Sequence, residues 1–332
     1  MSRSLATLWL TTLLLAPPAL ADPSAMPEPA RPKQLLLVSF DGAHDNALWA
    51  KSRDIARRAN AHFTYFLSCT TLIPRAGAKG YKAPGMKAGR SNIGFAPTVE
   101  DVAVRLDHIW NARQDGHEIA NHACGHFDGK DWSKDDWLAE FHTFRDVVTQ
   151  AWKANGLADK EPQGWAAFAR TGIRGFRAPY LSAPESLAEA EREFGFAYDA
   201  SLVTKGAMMP GEDGSLLRFG LPLIPEGPER RNIIGMDYNL FVRHSAGMDN
   251  RSRSAEFEER TYAAFKAAFD GQYEGERIPL QLGFHFVEMN AGAYWRAMER
   301  LVTEVCHRAD VACVSYSQAI DLLTDRPARN PS

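Results

Sequence analysis

His122 and His126 stand four residues apart in His-Ala-Cys-Gly-His, and that spacing is the first sign of chemistry in the chain. On a helical turn, or in a tight loop after a strand, side chains four apart converge on one ion. Two imidazoles suit Zn²⁺ or another divalent transition metal such as Co²⁺ or Ni²⁺. An isolated pair of this kind also occurs on ordinary surfaces. Here a short strand precedes it and the turn Phe127-Asp128-Gly129 follows it, which favours a site. Cys124, between the two histidines, reads as structural. Four more polar residues end apolar or mixed runs: Asp41, Arg177, Asp237 and His285. With His122 they make five chemically active residues at the ends of five different strands, a pattern that points to one shared site.

The elements that must position them alternate. Gln34–Phe40 is a short apolar run and predicts a buried strand. Leu48–Ala61 predicts a helix, His62–Leu67 a strand and Thr98–Gln114 a helix. His117–His122 is expected as a short strand, Lys134–Asn155 as a long amphipathic helix. Further strands are expected at Ile173–Ala178, Ile233–Tyr238, Pro279–His285 and Val311–Tyr316. Helices are expected at Pro184–Phe194, Phe257–Asp270, Ala293–His307 and Gln318–Leu323. This β-then-α order predicts an α/β fold, a distorted (β/α) barrel of about seven parallel strands in a single domain over residues 33–325. In such barrels chemistry sits at the C-terminal ends of the strands. Thr71–Pro97 and Lys205–Arg231, rich in Gly and Pro, read as loops walling a groove.

The chain has 332 residues, is 45% hydrophobic and 24% charged, and carries a net charge of −3, which excludes disorder and implies no basic nucleic-acid face from the totals. Arg3, the apolar stretch Leu5–Leu15 and the small residues Ala19 and Ala21 predict a secretory signal peptide over residues 1–21. Residues 22–32 read as a flexible leader and 326–332 as a tail. The mature chain is expected to be periplasmic or secreted, with no membrane span. Export permits disulfides among Cys69, Cys124, Cys306 and Cys313. Cys306 with Cys313 is the first choice by proximity, leaving Cys69 with Cys124; four buried thiols is the alternative. No P-loop, dinucleotide fingerprint or serine-hydrolase elbow is present.

From about Leu35 to Tyr316 the chain resembles the polysaccharide deacetylases of carbohydrate esterase family four, and especially their chitin-deacetylase-like branch. The family's motifs occur in order. Val38-Ser-Phe-Asp-Gly-Ala43 resembles the first, the segment Gly116–His126 the second, Gly175-Phe-Arg-Ala-Pro-Tyr180 the third and Leu282-Gly-Phe-His285 the fifth. Met236-Asp-Tyr238 is a looser match to the fourth. The resemblance implies metal-dependent removal of N-acetyl groups from an amino-sugar polymer: chitin-like, poly-N-acetylglucosamine or peptidoglycan. It implies His122 and His126 as metal ligands and Asp41 as general base, with Arg177 holding Asp41 ionised. It further implies the main-chain N–H of Tyr180 as oxyanion donor and His285 as general acid. Asp237 is the candidate carboxylate behind His285, and Asp199 the runner-up.

One departure matters. The family's first motif carries two adjacent aspartates, the second a metal ligand, and here that place is Gly42. Catalytic zinc normally has three protein ligands. Asp45 is the expected replacement, His44 the weaker one. Alternatively Asp41 itself ligates, or the protein binds glycans without cleaving them. A metal-dependent amidase on a small non-sugar amide is the third functional reading. Trp132 and Trp137 follow the metal pair and suggest sugar-stacking faces, although a helix burying Trp137 accounts for it better. The remaining histidines (His44, His62, His108, His117, His142, His244 and His307) read as structural or solvated.

Overall fold

The computed structural model describes residues 31–324. The expected signal peptide, most of the leader and the tail lie outside the described residues. Chain order begins β1 (Gln34–Gly42), α1 (Asn46–Ala59), β2 (Thr64–Leu67), α2 (Val99–Gln114), β3 (Glu118–Asn121), α3 (Lys134–Ala154) and the single turn α4 (Trp165–Ala167). It continues with β4 (Gly175–Phe176), α5 (Glu185–Phe194), β5 (Tyr198–Thr204), β6 (Gly211–Asp213), β7 (Leu216–Glu226), β8 (Arg231–Ile234) and α6 (Asp237–Ser245). It closes with α7 (Ser254–Glu274), β9 (Leu280–His285), α8 (Met289–Val305), β10 (Val311–Cys313) and α9 (Tyr316–Thr324).

Every residue of β1 is buried, as its unbroken apolar run requires of a strand covered on both faces. β1 pairs in parallel with β2 through Ser39–Gly42, with β9 through Leu36–Asp41 and with β10 through its first three residues. Parallel pairing then runs β2 to β3, β3 to β4, β4 to β5 and β5 to β7. A bridge from Met236 to Gly283, with Gly235 N–H donating to the Pro222 carbonyl, links the β7 side back to β9. The result is a distorted (β/α) barrel in one domain. Its C-terminal strand ends gather Asp41, Asn121-His122, Phe176-Arg177 and His285 at one mouth.

Local chemistry explains the helix boundaries around that mouth. Asp45 caps α1 by accepting the Leu48 N–H, and Arg57 and Arg58 complement the dipole at its other end. Ser133 and Asp136 form a capping box that starts α3. α3 buries Trp137, Phe141, Phe144, Val148 and Trp152 against the barrel.

Two expectations need correction. Residues 205–231 are not a structureless loop: β6 and β8 flank β7 in antiparallel pairing, so the ten-stranded sheet is mixed. Gly220, Pro222 and Pro225 lie within β7 and read as breakers in the sequence. The ladder tolerates them because β7 is paired by short, shifting partners. Residues 233–238 are not one strand either. The ladder stops at Ile234, Met236 keeps only the bridge to Gly283, and Asp237 opens α6. By contrast, 71–97 holds 3-10 turns at Cys69–Leu72 and Arg75–Gly80 and a single bridge from Pro74 to Ala96. No helix among the described residues is long and apolar enough to cross a membrane.

Candidate active site

A pocket of about 500 Å³ opens at the C-terminal strand ends, with Asp41, His122, His126, Tyr180, Tyr238 and His285 in its wall. Its floor is a buried ion pair. Arg177, just past β4, donates from Nη1 to Asp41 Oδ1 at 2.8 Å and to Ser39 Oγ at 2.9 Å. Its Nη2 donates to the Tyr316 hydroxyl at 2.9 Å, and its Nε to the Ala200 carbonyl at 3.0 Å. The guanidinium also lies 4.2 Å from the centre of the Phe66 ring. These contacts fix a fully buried cation, 0% exposed, in one orientation. Burial pushes the Asp41 carboxyl up, but Arg177, helped by His285, outweighs it and holds Asp41 below the ordinary carboxylate range.

The histidine pair sits beside this carboxylate. His122 follows β3 and is buried, and its Nδ1 lies 2.8 Å from the Arg177 carbonyl. Burial, reinforced by His126, pushes His122 down to about 3, so the ring is neutral and its Nδ1–H donates to that carbonyl. Nε2 then carries a lone pair, and this buried atom has no hydrogen-bond partner. A neutral histidine fixed through one nitrogen and unpartnered at the other is prepared to ligate a metal. The His126 ring centroid is 5.0 Å away, and Tyr180 lies against His126 at 5.1 Å. Ala123 and His126 both take positive φ, which curls the loop and turns the second imidazole toward the first.

The loop is held from behind by residues the motifs do not reveal. Glu140 Oε1 accepts the Cys124 N–H at 2.8 Å, the Gly125 N–H at 3.3 Å and the Tyr81 hydroxyl at 2.8 Å. Cys124 is joined to Cys69, and Cys306 to Cys313. Glu140 lies on α3 with its spacing set by the buried helix face, so in the sequence it looks like a misplaced surface acid. Ser39, inside the first motif but given no role by it, and Tyr316, outside every motif, orient Arg177.

On β9, in register with Asp41 of the neighbouring β1, His285 Nδ1 is 2.7 Å from Asp237 Oδ1, and the His285 main-chain N–H donates to Asp237 Oδ2 at 2.9 Å. The Tyr238 N–H completes the carboxylate's shell at 2.7 Å. Burial pulls the His285 imidazole down, yet the Asp237 carboxylate beside it, helped by Asp41, raises it above the ordinary histidine range. Asp199 is engaged elsewhere, accepting from Arg218 at 3.1 Å and from the Ser201 N–H. Asp237, at the start of α6, is therefore the carboxylate behind His285.

Not every expected residue converges. Asp45 spends its Oδ1 on the α1 cap and lines a neighbouring cavity with Thr71 and Arg105. Among the described residues no group of three or more His, Cys, Asp or Glu forms a complete metal cage. Gly42 takes φ +88°, and a Cβ there would meet Ile93 Cδ1 at 2.8 Å and His44 Nδ1 at 3.5 Å. Trp132 and Trp137 pack on each other at 4.7 Å, with Trp137 fully buried. Neither reaches the pocket, because the capped α3 carries Trp137 inward. The exposed aromatic faces at the site are instead Tyr180 and Tyr238, 59% and 52% exposed.

No family model and no curated protein matches this sequence. Solved structures do match. A provisionally named polysaccharide deacetylase from Mycobacterium smegmatis superposes with a TM-score of 0.52 over 92% of this chain and 99% of its own, at 18% identity. The fold is that of a polysaccharide deacetylase. The Xyl-CE4 domain of a multidomain xylanase from the hindgut metagenome of Trinervitermes trinervoides matches at TM-score 0.44 and 12% identity, over 89% of this chain and 93% of its own. The peptidoglycan deacetylase PdaC from Bacillus subtilis matches at TM-score 0.45 and 11% identity, over 88% of this chain and 92% of its own. On this deacetylase fold, the pocket lies where the expected barrel chemistry belongs, at the strand C-termini.

Proposed function

We propose that the chain is a metal-dependent N-deacetylase of an N-acetylated amino-sugar polymer or oligomer, working in the periplasm or outside the cell. The observation that carries this reading is the juxtaposition, in the wall of one pocket, of the buried Asp41–Arg177 pair and the part-buried Asp237–His285 pair on neighbouring strands, together with the unpartnered His122 Nε2. The residues fit a divalent metal: His122 and His126 are neutral imidazoles beside a carboxylate, a donor set suited to Zn²⁺, Co²⁺ or Ni²⁺. When bound, such an ion supplies positive charge that polarises the acetyl carbonyl and acidifies the attacking water.

The chain's own groups do the rest. Asp41, held ionised by Arg177, takes the proton of the attacking water. The Tyr180 main-chain N–H stabilises the developing oxyanion. Its left-handed conformation, φ 60°, turns the peptide at the pocket edge. His285, held protonated by Asp237, gives its proton from Nε2 to the departing amine. A carboxylate kept low and an imidazole kept high are the base and acid that amide hydrolysis needs at one pH. The two disulfides support the exported location.

Gly42 favours a second reading, a glycan-binding protein that has lost its metal. The test is elemental analysis of the purified mature protein together with acetate release from acetylated chitooligosaccharides, with and without a chelator. About one metal per chain and chelator-sensitive acetate are expected. Neither metal nor acetate after addition of zinc or cobalt overturns the deacetylase reading and leaves the binding protein.

A further inference from the structure

The near-neutral total charge hides a strongly basic segment. Residues 71–97 contain Arg75, Lys79, Lys82, Lys87 and Arg90 and no Asp or Glu. All five cations are exposed. Among the described residues none of them has an ion pair or side-chain hydrogen bond. Elsewhere on this surface cations are routinely paired, as Arg53 is with Asp115 and Arg58 with Asp54 and Glu299.

This segment is built onto the active site. The Asn92 N–H donates to the Gly125 carbonyl at 2.8 Å, one residue before His126. Thr70 Oγ1 bonds both the Cys124 carbonyl and Ser91 Oγ, and the Cys69–Cys124 disulfide fastens the base of the segment to the histidine loop. Tyr81, buried, ties its middle to Glu140. A cavity of about 510 Å³ lies over it, lined by Met86, Arg90, Ser91, Asn92, Phe95 and Phe127. Asn92 lines this cavity and the catalytic pocket alike, and its Nδ2 donates to the Tyr180 hydroxyl at 3.3 Å. The two cavities adjoin at Asn92 and can serve as consecutive stations of one groove. In the catalytic station the acids Asp41 and Asp237 are buried and paired, so no free carboxylate opposes an incoming anion.

We propose that this groove selects an acidic glycan, an acetylated chain with carboxylates repeated along it, the anionic sugar lying against Arg90, with the exposed Lys87 next to the lining residue Met86 adding charge, while its N-acetylated neighbour occupies the catalytic pocket. The proposal rests on the deacetylase reading for the second station only. Arg90 offers the planar donor fork that matches a carboxylate, and Phe95 and Phe127 offer apolar faces for a sugar ring. The remaining cations raise the local concentration of a polyanion before contact, an effect that salt screens.

The test is calorimetric binding of three oligosaccharides of equal length to the mature protein. One is a neutral N-acetylglucosamine oligomer; in the others N-acetylglucosamine alternates with N-acetylmuramic acid or with glucuronic acid. At low salt at least one acidic oligomer is expected to bind about tenfold tighter than the neutral one, and which of the two does so identifies the source of the carboxylate. Salt should shrink the preference. Lys87→Glu/Arg90→Glu, and more mildly Lys87→Gln/Arg90→Gln, should abolish the preference, lowering the affinity for the acidic oligomers far more than that for the neutral one. Equal affinity for all three oligomers overturns the proposal, as does a preference that survives the double variants. Tighter binding of anionic phospholipid vesicles or duplex DNA than of either acidic oligomer also overturns it. Because binding is read directly, a failure of acetate release sinks the catalytic reading and leaves this result standing.

Discussion

The Asp41–Arg177 and Asp237–His285 pairs have the same formal composition, a buried carboxylate and a cation, and opposite purposes. In the first the cation is a guanidinium fixed by four hydrogen bonds and an aromatic face, and it never loses its proton. It therefore sets the state of the carboxylate, the base of the proposed reaction. In the second the cation is an imidazole, which titrates. Here the carboxylate is the fixed partner, held by two main-chain N–H groups, and it sets the state of the histidine, the acid of the proposed reaction. Which member of a pair is immobilised decides which member has its protonation set by the other.

The comparison breaks most completely at Asp41. Asp41→Asn should lower acetate release by about 10³-fold. It also leaves Arg177 buried without a counter-charge, a loss of about 3–5 kcal/mol. Acetate assays and urea unfolding of the same sample check both. Unchanged turnover with intact metal would remove Asp41 from the base role.

Asp237→Asn comes next, with a fall in turnover of about 10²-fold. Its more telling sign is in pH. In the wild type the raised His285 contributes stability fully below the ordinary histidine value of about 6.5, and this is lost as pH rises through its higher folded value. Asp41, lowered, contributes above the ordinary carboxylate range and loses its contribution as pH falls through the lower folded value. Unfolding free energy measured against pH should therefore lose its alkaline-side dependence in Asp237→Asn and keep the acid-side one. A variant whose alkaline limb matches the wild type contradicts the assignment.

Gly42→Asp sharpens the metal side. Residue 42 has a left-handed backbone and Ile93 in the way of a Cβ, so the change should cost about 1–2 kcal/mol of stability. If the gap at residue 42 is what limits the site, zinc affinity should rise despite that cost. Affinity equal to wild type would show that another group already fills the position, and His44, whose Nδ1 lies 3.5 Å from the absent Cβ, is then the residue to remove.

Tyr180→Phe should do least. It removes the 3.3 Å contact with Asn92 from an exposed ring and keeps the backbone donor, so stability should change by less than about 0.5 kcal/mol. A KM change with constant kcat is expected; a collapse of kcat would place the hydroxyl itself in the chemistry.

Much of this site was legible because its residues end strands. Asp41, His122 and His285 follow runs whose period and length mark them as buried β structure, and the barrel brings such ends together. Arg177 follows a ladder of only two residues, yet its motif was clear. What the sequence hid has physical reasons. Asp237 occupies the first turn of a helix because a single bridge at Met236 ends the ladder, and one bridge leaves no periodic trace. β7 contains a glycine and two prolines that argue locally against a strand, and tertiary pairing overrides them. Asp45 has the spacing of a ligand and also that of an N-cap, and the adjacent helix takes it. Glu140, which positions the histidine loop from α3, belongs to a helical pattern and meets the site only through packing.

The account depends most on the unpartnered nitrogen of His122. Zinc titrated calorimetrically into chelator-stripped wild-type protein and into His122→Ala tests it directly. The account predicts one site per chain in the wild type and its loss in the variant, with the fold retained by circular dichroism. Zinc binding of wild-type strength and stoichiometry in folded His122→Ala would contradict it.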